Sequence, residues 1–180
     1  MITLRILNPV LDDFAPIREL RREIPLPLLE TTHLRELEQD RDEMGLVAAF
    51  YRSGELIGTL RLLPLGFGLA PCERGLEGED LPEQILENSC EIGRLVLARE
   101  HRDDSKTLLS CLQLMFQYVT THTRYRNGIG VCGDRLARLY RKFGATPIVR
   151  NSNCAGMNLV HCSLATIRAA FAERAEYTVV

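Results

Sequence analysis

The chain has 180 residues, 46% of them hydrophobic and 26% charged, which fits one globular domain over residues 1–180 with a substantial core. A formal net charge of -2 excludes a global electrostatic pull toward nucleic acid or an anionic membrane. No apolar run reaches the length of a membrane-spanning helix, and MITLRILNPVLDDF lacks the basic-then-apolar order of an export signal. The expectation is therefore a cytoplasmic protein. Its six cysteines (Cys72, Cys90, Cys111, Cys132, Cys154, Cys162) form no CxxC pair, so they read as reduced thiols without a metal site.

In chain order, ITLRILN alternates and predicts a strand. From Leu11 to about Leu29 the pattern is helical, with Ile17, Leu20 and Ile24 on one face, until Pro25 and Pro27 stop it. HLRELEQDRDEM predicts a short charged helix or a loop. LVAAFYRSGELIGTLRLLPL is a pair of β-rich runs around Ser53-Gly54, a strong hairpin signal. Residues 66–88 carry Pro71, Gly75, Gly78 and Pro82 and predict a loop with at most a short helix near PEQILEN.

A strand from Glu91 to Leu97 leads into a helix from Ser105 to His122, whose apolar face includes Leu108, Leu112, Met115 and Val119. NGIGVCG predicts a strand. DRLARLYRKF predicts a helix capped by Asp134 and stopped at Gly144. ATPIVRN, MNLVHCSL and the helix LATIRAAFAERA complete the chain. The fold class is α/β (α+β), a mixed sheet flanked by helices. A doubly wound dinucleotide fold is excluded, because a hairpin interrupts the alternation and no GxGxxG follows the first strand.

Three stretches carry candidate chemistry. In GTLRLLP, Arg61 either faces solvent or points inward, where burial would force it to pair with a carboxylate. In CEIGRLV, strand alternation places Glu91, Gly93 and Leu95 on one face and Ile92, Arg94 and Val96 on the other. So apolar a strand is central, so Glu91 and Arg94 need partners, for which Glu38, Asp40, Asp42 and Arg61 are available. A structural ion-pair network and a catalytic site fit these residues equally well. In ARLYRKFGATPI, Leu136, Leu139, Tyr140 and Phe143 form an apolar helix face, with the Tyr140 phenol either packed or presented to a cleft.

Together these stretches resemble the GCN5-related N-acetyltransferase (GNAT) superfamily, in which a strand runs through an arginine-bearing loop to a helix and a later helix ends L-Y-x-K-x-G-A. The resemblance implies a GNAT-like acyl-CoA N-acyltransferase fold with a mixed central β-sheet flanked by helices. In such proteins the loop reads R-x-x-G-x-G or R-x-x-G-x-A and cradles the pyrophosphate of coenzyme A. Here it reads Arg102-Asp103-Asp104-Ser105-Lys106-Thr107, with side chains at both glycine positions and two acids.

Arg18, Arg21 and Arg22, the acidic run ELEQDRDE, GTLRLLP and EIGRLV are similar to autoinducer (acyl-homoserine lactone) synthases and to N-acyl amino acid synthases, over roughly residues 15 to 150. PLPLL replaces the aromatic residues of lactone synthases and the chain has no tryptophan, which favours a plain N-acyl amino acid synthase.

The resemblance assigns substrate binding to Arg21, Asp40 or Asp42, Arg61 and Arg94. It assigns catalysis to Glu91 as base and Tyr140 as acid toward the leaving thiolate. Donor binding falls to the backbone N–H groups near Val96 and Leu97 and to Arg102, Ser105, Lys106 and Thr107. No cofactor is permanently bound. The co-substrate is acyl-phosphopantetheine on an acyl carrier protein, or acyl-CoA, and the acceptor is a small amine or amino acid.

Arg99, His101, Arg102, Lys106, Arg124, Arg126, Arg138, Arg141 and Lys142 are candidates for a carrier-protein docking patch. Leu112, Leu114, Met115, Phe116 and Val149 are candidate walls of an acyl tunnel, or simply core. Two alternatives stay open: an acetyl-CoA-dependent acetyltransferase with an altered pyrophosphate loop, and a non-catalytic GNAT-like binding module.

Overall fold

The computed structural model describes residues 1–24, 32–153 and 156–176. The elements are β1 (Ile2–Leu7), α1 (Ala15–Arg22), α2 (Thr32–Met44), β2 (Leu46–Arg52), β3 (Glu55–Pro64), α3 (Pro71–Leu76), α4 (Glu83–Leu86) and β4 (Ser89–Leu97). They continue with α5 (Ser105–His122), β5 (Asn127–Cys132), α6 (Asp134–Arg141), β6 (Thr146–Val149), β7 (Asn158–Ser163) and α7 (Leu164–Glu176). The strands form a seven-stranded mixed sheet in the order β1-β2-β3-β4-β5-β7-β6.

The chain divides into two units. The first comprises Met1–Pro64 and Ile92–Met115. Its β1-β2-β3 meander is antiparallel, with Ile2 opposite Arg52 and Val47 opposite Arg61. Ser53 and Gly54 both adopt positive φ (52° and 87°), as a two-residue hairpin turn matched to strand twist requires. Val47 and Ala49 pack against Leu7, Phe14 and Ile17, so α1 covers that face of the sheet. Thr59 and Arg61 are cross-strand partners of Ala49 and Val47 and share their face, which turns Arg61 inward.

The second unit comprises Leu65–Glu91 and Phe116–Val180. The first residues of β4 run parallel to β5 from Ser89 opposite Asn127 to Glu91 opposite Ile129. β7 is antiparallel to both β5 and β6. Burial pushes the Cys162 thiol up to about 12 and the Cys132 thiol to about 11, and raises Cys90 as well. These thiols stay protonated, so they pack the core rather than attack a substrate. Among the described residues no group of His, Cys, Asp and Glu could hold a metal ion, and no helix is long and apolar enough to cross a membrane.

Several sequence expectations are corrected. The first helix starts at Ala15 rather than Leu11, because Asn8 and Asp12 fold the preceding segment. The Asn8 side chain accepts from Val10 N–H (2.9 Å), and Asp12 accepts from Asn8 N–H (2.7 Å). Its predicted extension through Pro25 and Pro27 to Leu29 lies outside the described residues. The charged segment is a 13-residue helix. Residues 66–88 hold two short helices, the first preceded by a turn in which the Glu73 carboxylate accepts from Ala70 N–H at 2.9 Å. Gly133, not Asp134, is the N-cap of α6, and Asp134 instead accepts from the Asn158 amide at 2.7 Å.

Gly45 joins α2 to β2 under a steric constraint set by backbone. A Cβ there would lie 2.7 Å from the Leu62 carbonyl oxygen and 2.8 Å from that of Arg41. Both obstacles are backbone, so Gly45→Ala must shift α2 against β3. The expected cost is about 1–3 kcal/mol, read as a fall in unfolding midpoint in chemical denaturation with the slope unchanged.

Candidate active site

The charged residues of α2 decide the site. At 100° per residue, Glu38 and Asp42 lie one turn apart on the same face, whereas Asp40 falls nearly opposite. Asp42 is buried and Glu38 partly so, while Asp40 is exposed and pairs with no described residue. The acid pair in the cluster is thus Glu38 and Asp42, and Asp40 is not brought to it.

Onto this face converge arginines from α1, β3 and β4. Arg21, on the buried side of α1 with Ile17 and Leu20, donates through Nη1 to both Asp42 oxygens at 2.7 and 2.9 Å and through Nη2 to Thr59 Oγ1 at 3.3 Å. Arg61 bridges the two acids, with Nη1 donating to Asp42 Oδ1 and Nη2 to Glu38 Oε1, each at 3.0 Å. Arg41 Nη1 donates to Glu38 Oε1 at 3.1 Å. Arg94 Nε lies 3.0 Å from Glu38 Oε2, an ion pair off the hydrogen-bond axis.

Among the described residues, the two carboxylates are shared by Arg21, Arg61 and Arg94 with a further bond from Arg41, and the Nε of both Arg21 and Arg61 is buried without a hydrogen bond. Arg21 and Arg61 are 2% and 1% exposed, so the cluster is nearly dry. Burial pulls the Arg21 and Arg94 guanidiniums down, the nearby carboxylates oppose this, and neighbouring arginines reinforce it. Burial alone would raise the Glu38 carboxyl, but Arg61, Arg94 and Arg41 together hold it below the usual range. Glu38 is ionised, and among the described residues Arg21, Arg61 and Arg94 outnumber the two carboxylates they meet.

Arg94 is the exceptional member. Its φ is +52°, the left-handed region that a non-glycine residue occupies only at a cost of about 1 kcal/mol or more. Arg94 and Val96 meet different helices of the first unit, α2 and α1. Val96 packs with Leu20 and Ala98, whereas Arg94 reaches Glu38. Its side chain keeps 10% exposure, and its two Nη groups form no hydrogen bond to a described residue.

In the second unit, Glu91 is 4% exposed and its Oε2 accepts from Cys72 N–H at 2.6 Å. Tyr140 packs against Cys132, Ala137 and Val160, and burial pushes its phenol up to about 12, so it stays neutral. Of the candidate tunnel walls, Leu112, Met115, Phe116 and Val149 are buried and Leu114 is partly so. Arg138 and Arg141 line a cavity of about 270 Å³ with Asp134, Ala137, Pro147, Arg150 and Asn158.

In the loop before α5, Arg102 Nε donates to the Leu97 carbonyl at 3.0 Å, and its Nη2 pairs with Glu23. Ser105 and Lys106 are exposed, and Thr107 is buried. Asp104, which the sequence marked only as an acid near the phosphate position, caps the helix. It accepts from Lys106 N–H at 2.9 Å and from Thr107 N–H at 3.2 Å.

The sequence profile of the family N-acyl amino acid synthase FeeM matches residues 27–167. No curated protein matches the chain significantly. Among solved structures, FeeM, an N-acyl amino acid synthase from uncultured soil microbes, superposes with a TM-score of 0.64 at 14% identity, covering 94% of each chain. An acyl-CoA N-acyltransferase from Pseudomonas aeruginosa gives 0.63 at 14% identity, covering 91% of this chain and 100% of its own. A spermidine N-acetyltransferase chimera, SpeG from Vibrio cholerae with hSSAT, gives 0.62 at 15% identity, covering 92% and 97%. The structural likenesses establish the GNAT fold and the profile match carries the lineage: the chain belongs to the N-acyl amino acid synthase family and is an N-acyltransferase.

Proposed function

We propose that the protein moves a fatty acyl group from an acyl carrier protein thioester to the amine of an amino acid. The observation that carries this reading is Arg94, a strained arginine in a cluster where, among the described residues, guanidiniums outnumber carboxylates and its Nη groups meet no acceptor. A guanidinium edge of this kind suits a carboxylate, which it grips through two parallel hydrogen bonds. Arg21, Arg61, Glu38 and Asp42 hold Arg94's surroundings in place, and the acceptor's carboxylate supplies the charge the cluster lacks.

Chemistry then needs a free amine, a donor to the developing oxyanion and a path for the proton. Glu91 takes a proton from the acceptor's nitrogen, directly or through one water. The nitrogen lone pair attacks the thioester carbon, and the carbonyl oxygen becomes an oxyanion received by the backbone N–H of Val96 or Leu97. Collapse breaks the C–S bond, leaving the amide and a thiolate. The Tyr140 phenol, neutral at working pH, donates a hydrogen bond to that thiolate, and the proton released by the amine finally neutralises it.

The donor reading rests on charge. A carrier-protein arm brings one phosphate at its far end and needs no diphosphate cradle. Carrier proteins are acidic, and the exposed Arg138, Arg141 and Lys142 on and after α6, with Arg150, offer a complementary surface. The acetyl-CoA alternative is decided by supplying both thioesters to the purified enzyme. Transfer from the carrier protein, and a new N-acyl amino acid in the mass spectrum of lipophilic extracts from overproducing cells, support the proposal. Transfer from acetyl-CoA alone removes it.

Two substitutions test the roles. Glu91→Gln keeps the acceptor for Cys72 N–H but removes the base, and should lower kcat by about 10²–10⁴-fold without altering the unfolding midpoint. An unchanged kcat takes Glu91 out of the mechanism. Arg94→Gln should raise KM for an amino acid about 10- to 100-fold, the loss of a charged hydrogen bond. It should leave KM for the corresponding decarboxylated amine nearly unchanged. Equal increases for both acceptors would show that Arg94 does not read the carboxylate.

A further inference from the structure

We infer that Asp104 selects the acyl donor: its carboxylate, built into the chain, fills the N-terminus of α5 and so bars thioesters that carry a diphosphate. The inference deepens the carrier-protein reading and rests on it for its biological sense.

An 18-residue helix such as α5 presents several unpaired N–H groups and a positive dipole end at its start. Here two of those groups are engaged by one side chain. Asp104 Oδ1 accepts from the N–H of Lys106 and of Thr107, at 2.9 and 3.2 Å, and Oδ2 accepts from the Thr107 hydroxyl at 2.5 Å. The hydroxyl oxygen is itself taken, because Arg52 at the end of β2 donates Nη2 to Thr107 Oγ1 at 2.7 Å. This tie comes from another element, 55 residues away in sequence, and holds Thr107 facing Asp104.

The arginine of the loop is engaged too. Arg102 is turned to the Leu97 carbonyl and to Glu23, so its charge is compensated within the chain. Lys106 N–H, Thr107 N–H, the Thr107 hydroxyl and the Arg102 guanidinium are thus each met by an internal acceptor, and Asp103 adds a second, exposed negative charge beside them. The hydrogen bonds from Thr107 hold the Asp104 carboxyl below its usual range, so it is ionised throughout the neutral range. A diphosphate must either displace this carboxylate or bind next to it, and both are unfavourable.

The test uses the full chain and two variants. Asp104→Asn retains a capping oxygen without the charge, and Asp104→Gly removes both. Titration calorimetry with coenzyme A reads binding independently of turnover, and thermal unfolding checks that each protein is folded. Wild type should show no saturable binding at millimolar coenzyme A. The asparagine variant should gain at least tenfold in affinity and the glycine variant at least as much.

In parallel, the ratio of kcat/KM for acyl-CoA to that for the acyl carrier protein should rise in both variants. If folded variants bind coenzyme A no better than wild type, Asp104 is only a helix cap and the inference is overturned. Wild type that binds coenzyme A as tightly as the variants overturns it equally. Failure of all three proteins to use a carrier-protein thioester would instead refute the donor reading, leaving the calorimetric comparison to decide Asp104's part.

Discussion

Asp42 and Glu38, one helical turn apart on α2, hold together four arginines that could not otherwise be buried. Arg61 is the hinge of this arrangement, because its guanidinium touches both acids from the middle of β3. Taking such charges out of water costs several kcal/mol per ion, and a hydrophobic replacement of equal volume often gives a more stable protein. Stability is therefore a poor reason for the cluster. What it accomplishes is placement, fixing α1, α2, β3 and the kinked part of β4 to one another through bonds with definite directions. The same low dielectric that makes the cluster costly gives any incoming anion a strong interaction with its uncompensated charge.

The kink at Arg94 follows from that requirement. The left-handed backbone conformation goes with a side chain tied to Glu38. Strain of this size persists where surrounding bonds over-determine it, and here the tie to Glu38 does so. Gly45 serves the same geometry from the other end of α2, since only a residue without a side chain lets the helix run into β2 this close to the Leu62 carbonyl.

Much of this was legible in the sequence. The turn at Ser53-Gly54, the limits of α5 and the succession of strands along the chain follow from local pattern, because turn chemistry and apolar periodicity are local properties. That Arg61 needed an acid followed from burying a charge. Which acid it met did not, since that depends on the helical phase of a segment whose charges are dense on every side. Once residues 32–44 are a helix, the four-residue spacing of Glu38 and Asp42 selects them over Asp40. The left-handed backbone at Arg94 and the cap at Asp104 were beyond reach for a different reason. Each is an exception to a local rule, imposed by a partner distant in the chain: Glu38 for the first, and Arg52 acting through Thr107 for the second.

Arg94 and Asp104 present opposite solutions to one electrostatic problem. A fold that binds an acyl thioester and an amine has two places where a ligand's negative charge could be received, the start of α5 and the arginine cluster. At the first, this chain supplies its own carboxylate and closes the donor set with hydrogen bonds from Lys106 and Thr107. At the second, among the described residues, it supplies fewer carboxylates than guanidiniums and no acceptor for the Nη edge of Arg94. In the proposed reading, the internal anion at one position and the Arg94 guanidinium at the other suit a ligand whose charge sits on the acceptor rather than on the donor. An amino acid and a carrier-bound acyl chain have that distribution of charge, whereas a polyamine and coenzyme A have the reverse.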